Sequence, residues 1–212
     1  MLTIHTADLV VPGGESPSLP GGAVLVEGRR IAAVGTYEDL AAVHPTARVR
    51  RWPGVLTPGL LNPFGPELLE RSYHPDPRED LGSELITGEV LSDLDMSDAR
   101  WGASARRGVQ RLLAHGVVAV AGDLRRPAAA DAVHRVGMTS EECFEDPPGP
   151  PVLDPLIGRS LAEAILTPLL PHEGRDATFA VFDVPDEAAL TKSGATACVA
   201  TVIQGRLLHR RR

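Results

Sequence analysis

The sequence is short of lysine, cysteine, aromatic side chains and long apolar runs. Lys192 is the single lysine against 20 arginines, so basic charge is almost wholly guanidinium, which reads as coding bias rather than a binding patch. Acidic residues number 28 and basic ones 21, for a formal net charge of −7; that balance argues against a nucleic-acid binder, whose surface is usually net basic. Cys143 and Cys198 lie far apart and outside any CxxC pair. Each reads as a small, partly buried hydrophobe rather than half of a disulfide. Aromatics make up 4%, so the core has to be aliphatic. No stretch approaches the roughly 20 apolar residues of a membrane span, and Met1-Leu2-Thr3-Ile4-His5 has no basic region ahead of an apolar run. The expectation is a cytoplasmic protein without membrane contact. What is present is a hydrophobic content of 43% in 212 residues, enough for one domain or two small ones.

Both ends of the chain read as strands and the middle as α/β. Residues 2–11 form one apolar-rich run closed by Pro12-Gly13-Gly14. Residues 23–27 and 31–34 are β-branched runs joined by the turn Gly28-Arg29-Arg30, a hairpin signal. A short helix over 37–44, stopped before Pro45, and a strand over 48–52 follow. Residues 62–95 read mainly as loop. Ser97 is placed to cap a strong helix, with Asp98 in its first turn, and Trp101, Ala105, Val109, Leu112 and Leu113 recur at helical spacing up to Gly116. Arg100, Arg107 and Arg111 fall on the opposite side and read as a solvated face. The aliphatic run 117–121 comes next, so helix and strand make half of a βαβ unit. Further helices are expected at 128–136 and 158–166 around an irregular segment, 145–155, that holds five prolines. Strands are expected at 178–183, 197–203 and 206–209. No internal repeat is found.

Candidate chemistry is sparse. His5, His44, His74, His115, His134, His172 and His209 form neither HxH nor HxxxH, and a metal site needs clustered ligands, so each reads as a surface or capping residue. Asp93, Asp95 and Asp98 lack the Gly and Glu of a calcium loop and read as a solvated helix entrance. Asp123 follows the strand 117–121 and reads first as a turn cap. Cys143, with Glu141, Glu142 and Glu145 nearby, is a poor nucleophile, because carboxylates raise a thiol pKa. The glycine pairs form no phosphate-cradling pattern.

Two stretches together resemble a known family. Gly22-Ala23-Val24-Leu25-Val26-Glu27-Gly28-Arg29-Arg30-Ile31-Ala32-Ala33-Val34-Gly35, followed by Leu56-Thr57-Pro58-Gly59-Leu60-Leu61-Asn62, is similar to the opening of the metal-dependent cyclic amidohydrolases. Glu173-Gly174-Arg175-Asp176-Ala177-Thr178-Phe179-Ala180-Val181-Phe182-Asp183 and Val202-Ile203-Gln204-Gly205-Arg206-Leu207-Leu208 resemble the family's closing strand and final hairpin. The nearest resemblance is to imidazolonepropionase and aminodeoxyfutalosine deaminase, the latter linked to futalosine-type menaquinone metabolism. It implies a composite β-sandwich built from both ends, around a (β/α)8 barrel with a His-x-His metal pair after the first barrel strand.

This sequence departs from that pattern twice. Phe64 and Pro66 stand where the two histidines belong. Leu61 and Gly174 are 113 positions apart, whereas such a barrel takes about 250 residues. Thr178 also replaces the acid usual in the closing motif. The expectation is therefore a mixed α and β fold. Residues 1–57 and 173–212 form a discontinuous composite β-sandwich, and 58–172 a truncated α/β region derived from a TIM barrel with a single visible crossover. The expected function is non-catalytic binding or assembly, with no catalytic residue, metal or cofactor. Asn62, Glu67 and Asp123, at the ends of the first two barrel strands, are the candidates for substrate binding if a metal-independent hydrolase site has been rebuilt, or if a small-molecule ligand is held. A truncated barrel exposes edges and apolar faces, to be covered by loops, a homodimer or a partner protein.

Overall fold

The structure, a computed structural model, describes residues 1–143, 147–170 and 175–211. The elements run β1 (Leu2–Thr6), β2 (Leu9–Val10), β3 (Leu19–Pro20), β4 (Gly22–Glu27), β5 (Arg30–Thr36), α1 (Tyr37–Val43), β6 (Arg48–Arg51), β7 (Val55–Pro58) and β8 (Leu60–Asn62). Then come α2 (Gly65–Leu69), α3 (Gly88–Ser92), α4 (Asp98–Leu113), β9 (Val117–Ala121), α5 (Pro127–Val136), β10 (Thr139–Glu141) and α6 (Leu161–Ala164). The C-terminal end adds β11 (Phe179–Phe182), α7 (Glu187–Ser193), β12 (Cys198–Ile203) and β13 (Arg206–Arg210).

Three sheets result, in the orders β5-β4-β1-β6, β13-β12-β11-β7-β2-β3 and β10-β9-β8. The first two make the sandwich. The run expected over 2–11 is split, because the chain turns at Ala7-Asp8 and sends β1 to one sheet and β2 to the other. The two ends of the chain meet where β11 pairs antiparallel with β7, Phe179 opposite Pro58 and Phe182 opposite Val55. Strand alternation then sorts the side chains. Phe179 and Val181 pack between the sheets with Val24, Val26 and Leu56, while Ala180 and Phe182 turn toward the third sheet. Gly116 sits against that face at φ +73°, and a Cβ there would meet Phe182 Cζ at 2.7 Å, so only glycine fits both the turn and the contact.

The third sheet is parallel throughout, β8 to β9 and β9 to β10. It holds two crossovers, through α4 and α5, where the sequence reading found one. The overlooked strand, Thr139-Ser140-Glu141, is short and polar because it is an edge, so it carries no apolar run to betray it. The helices match their signals closely. Ser97 Oγ accepts the Arg100 N–H at 3.3 Å to cap α4, and Ala105, Val109, Leu112 and Leu113 are buried. Pro127 opens α5 and Gly137, at φ +81°, closes it. The helix expected over 158–166 shortens to α6, entered through a capping box of Ser160 and Glu163. α7 was not foreseen.

Residues 147–165 cover one side of the third sheet. Every residue of β9 is at most 5% exposed, Asn62 Nδ2 donates to Val152 O and Leu153 O, and Arg159 donates to Leu61 O at 3.0 Å. Asp154, itself buried, accepts from Leu156 N and Ala195 N at 2.9 Å each and so ties this loop to the 3-10 turn Ala195–Ala197. No helix among the described residues is long and apolar enough to cross a membrane.

Candidate functional site

The end of the third sheet where β8, β9 and β10 finish is where a parallel α/β fold places its chemistry. There the structure holds an open depression of about 390 Å³ lined by Pro66, Glu67, Arg71, Asp123, Arg125 and Cys143 among others. Two of the three sequence candidates, Glu67 and Asp123, meet in it. Glu67, on α2, is paired with Arg71 one turn on at 2.9 Å. Asp123 is exposed just past β9, and no hydrogen bond from it is seen among the described residues, so the expected turn cap is not made. Cys143 lines the same depression and is exposed, against the expectation of a partly buried hydrophobe. Cys198 is buried as expected, and burial raises its thiol pKa.

Asn62 does not join them. It is fully buried, its amide donates twice into the 152–153 segment, and its Oδ1 accepts from Phe64 N at 2.9 Å. All of this capacity is spent on holding the end of β8, so Asn62 is a structural tie rather than a ligand-facing group.

The positions matched to the metal pair are closed by packing. Phe64 is buried in the core with Leu68, Leu69 and Val120. Pro66 opens α2 and lies so close to Gly122 that a Cβ there would meet its Cδ at 2.7 Å. Among the described residues no three His, Cys, Asp or Glu side chains are grouped to hold a metal ion. The depression itself offers three carboxylates, Glu67 already on Arg71, Glu70 accepting the Arg126 N–H at 2.6 Å, and Asp123, beside a second cation from Arg125. That donor set does not fit the hydrolytic metal that the resemblance implies.

The histidines divide differently from the expectation. His44 caps α1, and His134 is exposed in the last turn of α5. His115 lies just beyond α4 with Nδ1 2.8 Å from Arg111 O. His172 lies outside the described residues, as do Glu145, Glu173 and Gly174. His5 and His74 are buried rather than superficial. His5 accepts from Trp52 Nε1 at 3.1 Å, and burial, then Arg50 and Arg48, lower its pKa to about 4. His74 Nε2 donates to Leu68 O at 2.8 Å, which leaves Nδ1 as a buried lone pair without a partner among the described residues. Burial lowers its pKa to about 4 as well.

The arginine face of α4 is likewise not simply solvated. Arg100 donates to Tyr73 Oη at 3.1 Å and pairs with Glu79 at 3.1 Å, while Arg107 donates to His74 O at 2.7 Å. Tyr73, fully buried, donates in turn to Glu79 and exchanges both backbone bonds with Ile86. Burial and the hydrogen bond to Glu79 raise the Tyr73 pKa, and the same bond lowers that of Glu79. This cluster orders the proline-rich 73–86 segment. Nothing in the spacing of Tyr73 and Glu79 announces it, since it depends on α4 packing alongside. Asp93, Asp95 and Asp98 are exposed at the entrance to α4, as expected.

Fold and site together define a two-sheet sandwich beside a three-stranded parallel α/β layer, with an open polar depression at the ends of its strands. Residues 22–47 match the imidazolonepropionase-like composite domain of bacteria, the end of the chain where the sequence resemblance begins. Among solved structures, the chain is similar to A. niger ochratoxinase at 24% identity, over 66% of this chain and 30% of that one, TM-score 0.43. It is similar to Helicobacter pylori aminofutalosine deaminase at 18% identity, over 67% and 33%, TM-score 0.39, and to E. coli guanine deaminase at 15%, over 67% and 36%, TM-score 0.46. The chain thus spans about a third of the length of these structures. No curated protein matches it.

Proposed function

We propose that this protein is a non-catalytic, amidohydrolase-like protein that acts in binding or assembly. The observation that carries this reading is the fate of the two ligand positions: Phe64 is core and Pro66 is a helix start packed on Gly122. A metal in such a site lowers the pKa of bound water and polarises the scissile carbonyl. Without its ligands, hydrolysis of a cyclic amide loses both nucleophile and electrophile. The pathway we propose is an accessory role in futalosine-type menaquinone metabolism, which rests on the resemblance of the end motifs alone. A protein partner or homodimer belongs to the same reading.

A second reading is favoured by one observation, that Glu67 and Asp123 line one depression. It makes this depression a metal-independent site for a cyclic C–N or nucleoside-like compound. Its weakness is geometric: Glu67 Oε1 is already engaged by Arg71 at 2.9 Å, and the depression is open to solvent. Incubation of the purified protein with hydantoin, imidazolone and nucleoside substrates, with and without added zinc, separates the readings. The first predicts no turnover above buffer in either condition. Turnover that is lost in Glu67→Gln or Asp123→Asn overturns it in favour of the second.

A further inference from the structure

A concentration of unpaired positive charge lies at one open edge of the sandwich, far from its acidic overall character. β6 ends one sheet and β13 ends the other, and the two edges lie on the same side. Trp52, immediately after β6, lies under Arg210 of β13 with the guanidinium 5.9 Å from its ring centroid, and Trp52 and Leu207 pack on the same inter-sheet core. In the parallel register Arg48 stands beside Thr3 and Arg50 beside His5. On a pleated strand these side chains share one face, the face on which His5 meets Phe179 of the second sheet, ring centroids 4.9 Å apart. Arg48 and Arg50 therefore stand at the rim of the gap between the sheets, with Arg210 on its other lip. Arg51 points the other way, its guanidinium 4.5 Å from the Tyr37 ring centroid.

None of the ion pairs among the described residues uses Arg48, Arg50, Arg51 or Arg210. Besides burial, what lowers the Arg50 pKa is its like-charged neighbours Arg48 and Arg210. In a chain of net charge −7, like charges left in proximity without a carboxylate raise the free energy of the unbound state. The backbone at this edge is also open. Trp52 N–H donates to Thr6 O at 2.9 Å, so even-numbered residues of β6 turn their peptide groups to β1. Val49 and Arg51 then turn N–H and C=O outward, and Val49 is 39% exposed.

We propose that this edge docks an extended acidic segment of a partner protein, which pairs with β6 as an added strand and sets alternate carboxylates on Arg48, Arg50 and Arg210. Strand addition supplies affinity through main-chain bonds, and the period-2 charges supply selectivity. Charge on an edge strand also deters unselective pairing, so one device both repels neutral or basic strands and admits acidic ones. A nucleic acid is disfavoured, because it meets the net negative charge at long range and has no peptide groups to pair with the edge. This inference goes beyond the reading of the barrel region and does not depend on it.

The test uses the full chain and a fluorescein-labelled peptide of about eight residues that alternates Glu with Val, followed by anisotropy. Saturable binding is expected, weakening about tenfold between roughly 50 mM and 300 mM salt. Arg48→Gln/Arg50→Gln/Arg210→Gln should weaken it by at least about tenfold, and so should Val49→Pro, which removes an outward N–H without breaking the ladder to β1. As a measure independent of variants, the peptide should slow amide exchange at Val49 and Arg51 in the unaltered protein. The proposal is overturned by equal affinity for the Gln-for-Glu peptide, by an unaffected triple variant, by unchanged exchange at those two amides, or by the absence of saturation. Tighter binding of an oligothymidine than of the peptide also overturns it.

Discussion

The sandwich and the α/β region around the third sheet are held in different ways. The sandwich closes by apolar alternation: Phe179, Val181, Val24 and Leu56 interdigitate between two sheets, and buried polar groups such as Thr6, which donates to Gly22 O at 3.0 Å, and His5, which accepts from Trp52, bond to neighbouring strands or the chain just beyond them. The α/β region has an apolar helix-to-sheet layer, but its open side is tied by polar groups, Asn62 to the 152–153 carbonyls, Asp154 to Ala195, and Tyr73 to Glu79 and the arginines of α4. An open three-stranded sheet has to satisfy with side chains and a loop what further strands would satisfy with backbone.

The comparison breaks most visibly if the two regions unfold apart. They share a boundary, with Phe182 against Gly116 and Thr201 Oγ1 donating to Leu113 O at 2.6 Å. Phe179→Ala in the sandwich and Leu112→Ala beneath the third sheet should each cost about 3–5 kcal/mol and lower a single urea transition. Two separated transitions by circular dichroism and tryptophan fluorescence would show the boundary to be weak.

Acid acts on both regions, because among the described residues each buries one histidine, His5 in the sandwich and His74 beside α4. For His5 and His74 the folded pKa of about 4 lies below the unfolded 6.5, so the unfolded chain takes up protons first. Stability is full above about pH 6.5 and falls as pH drops toward about 4, by about 3 kcal/mol for each histidine. Urea midpoints measured across that range check the slope. Replacement of His74 by Gln should flatten it by about half while His5 retains the rest; an unchanged slope would mean that His74 titrates normally.

Smaller effects follow at the candidate residues. Asn62→Ala leaves Phe64 N and two loop carbonyls unpaired and should cost about 1–3 kcal/mol, with the loss read by thermal melts and by faster proteolysis within 147–165. Glu67→Gln and Asp123→Asn, on the exposed depression, should stay within about 0.5 kcal/mol. A large loss in either would place that carboxylate among the structural ties.

The same contrast explains what the sequence made legible. The hairpin of β4 and β5, the cap and apolar stripe of α4, the aliphatic β9 and the pairing of the two chain ends all follow from local patterns or from end motifs. β10 was missed because an exposed three-residue edge carries no pattern. His74 was misread because its burial comes from α4: a Cβ on Gly108 would meet its Nε2 at 2.6 Å, a proximity across 34 positions that spacing cannot reveal. Of the candidate site, Glu67 and Asp123 stand near neighbouring strand ends in the sequence pattern and both line one depression, while the withdrawal of Asn62 into the 152–153 segment leaves no sequence signal, since it depends on where a proline-rich loop comes to rest.

The proposed absence of a hydrolytic metal rests on Phe64 being buried in the core and Pro66 packing on Gly122. The most direct test is metal content after purification and dialysis against equimolar zinc, iron and manganese, read by inductively coupled plasma mass spectrometry. The account predicts only trace, substoichiometric metal and no change in melting temperature on addition of zinc. One equivalent of tightly held zinc, iron or manganese that survives dialysis and raises the melting temperature would contradict it.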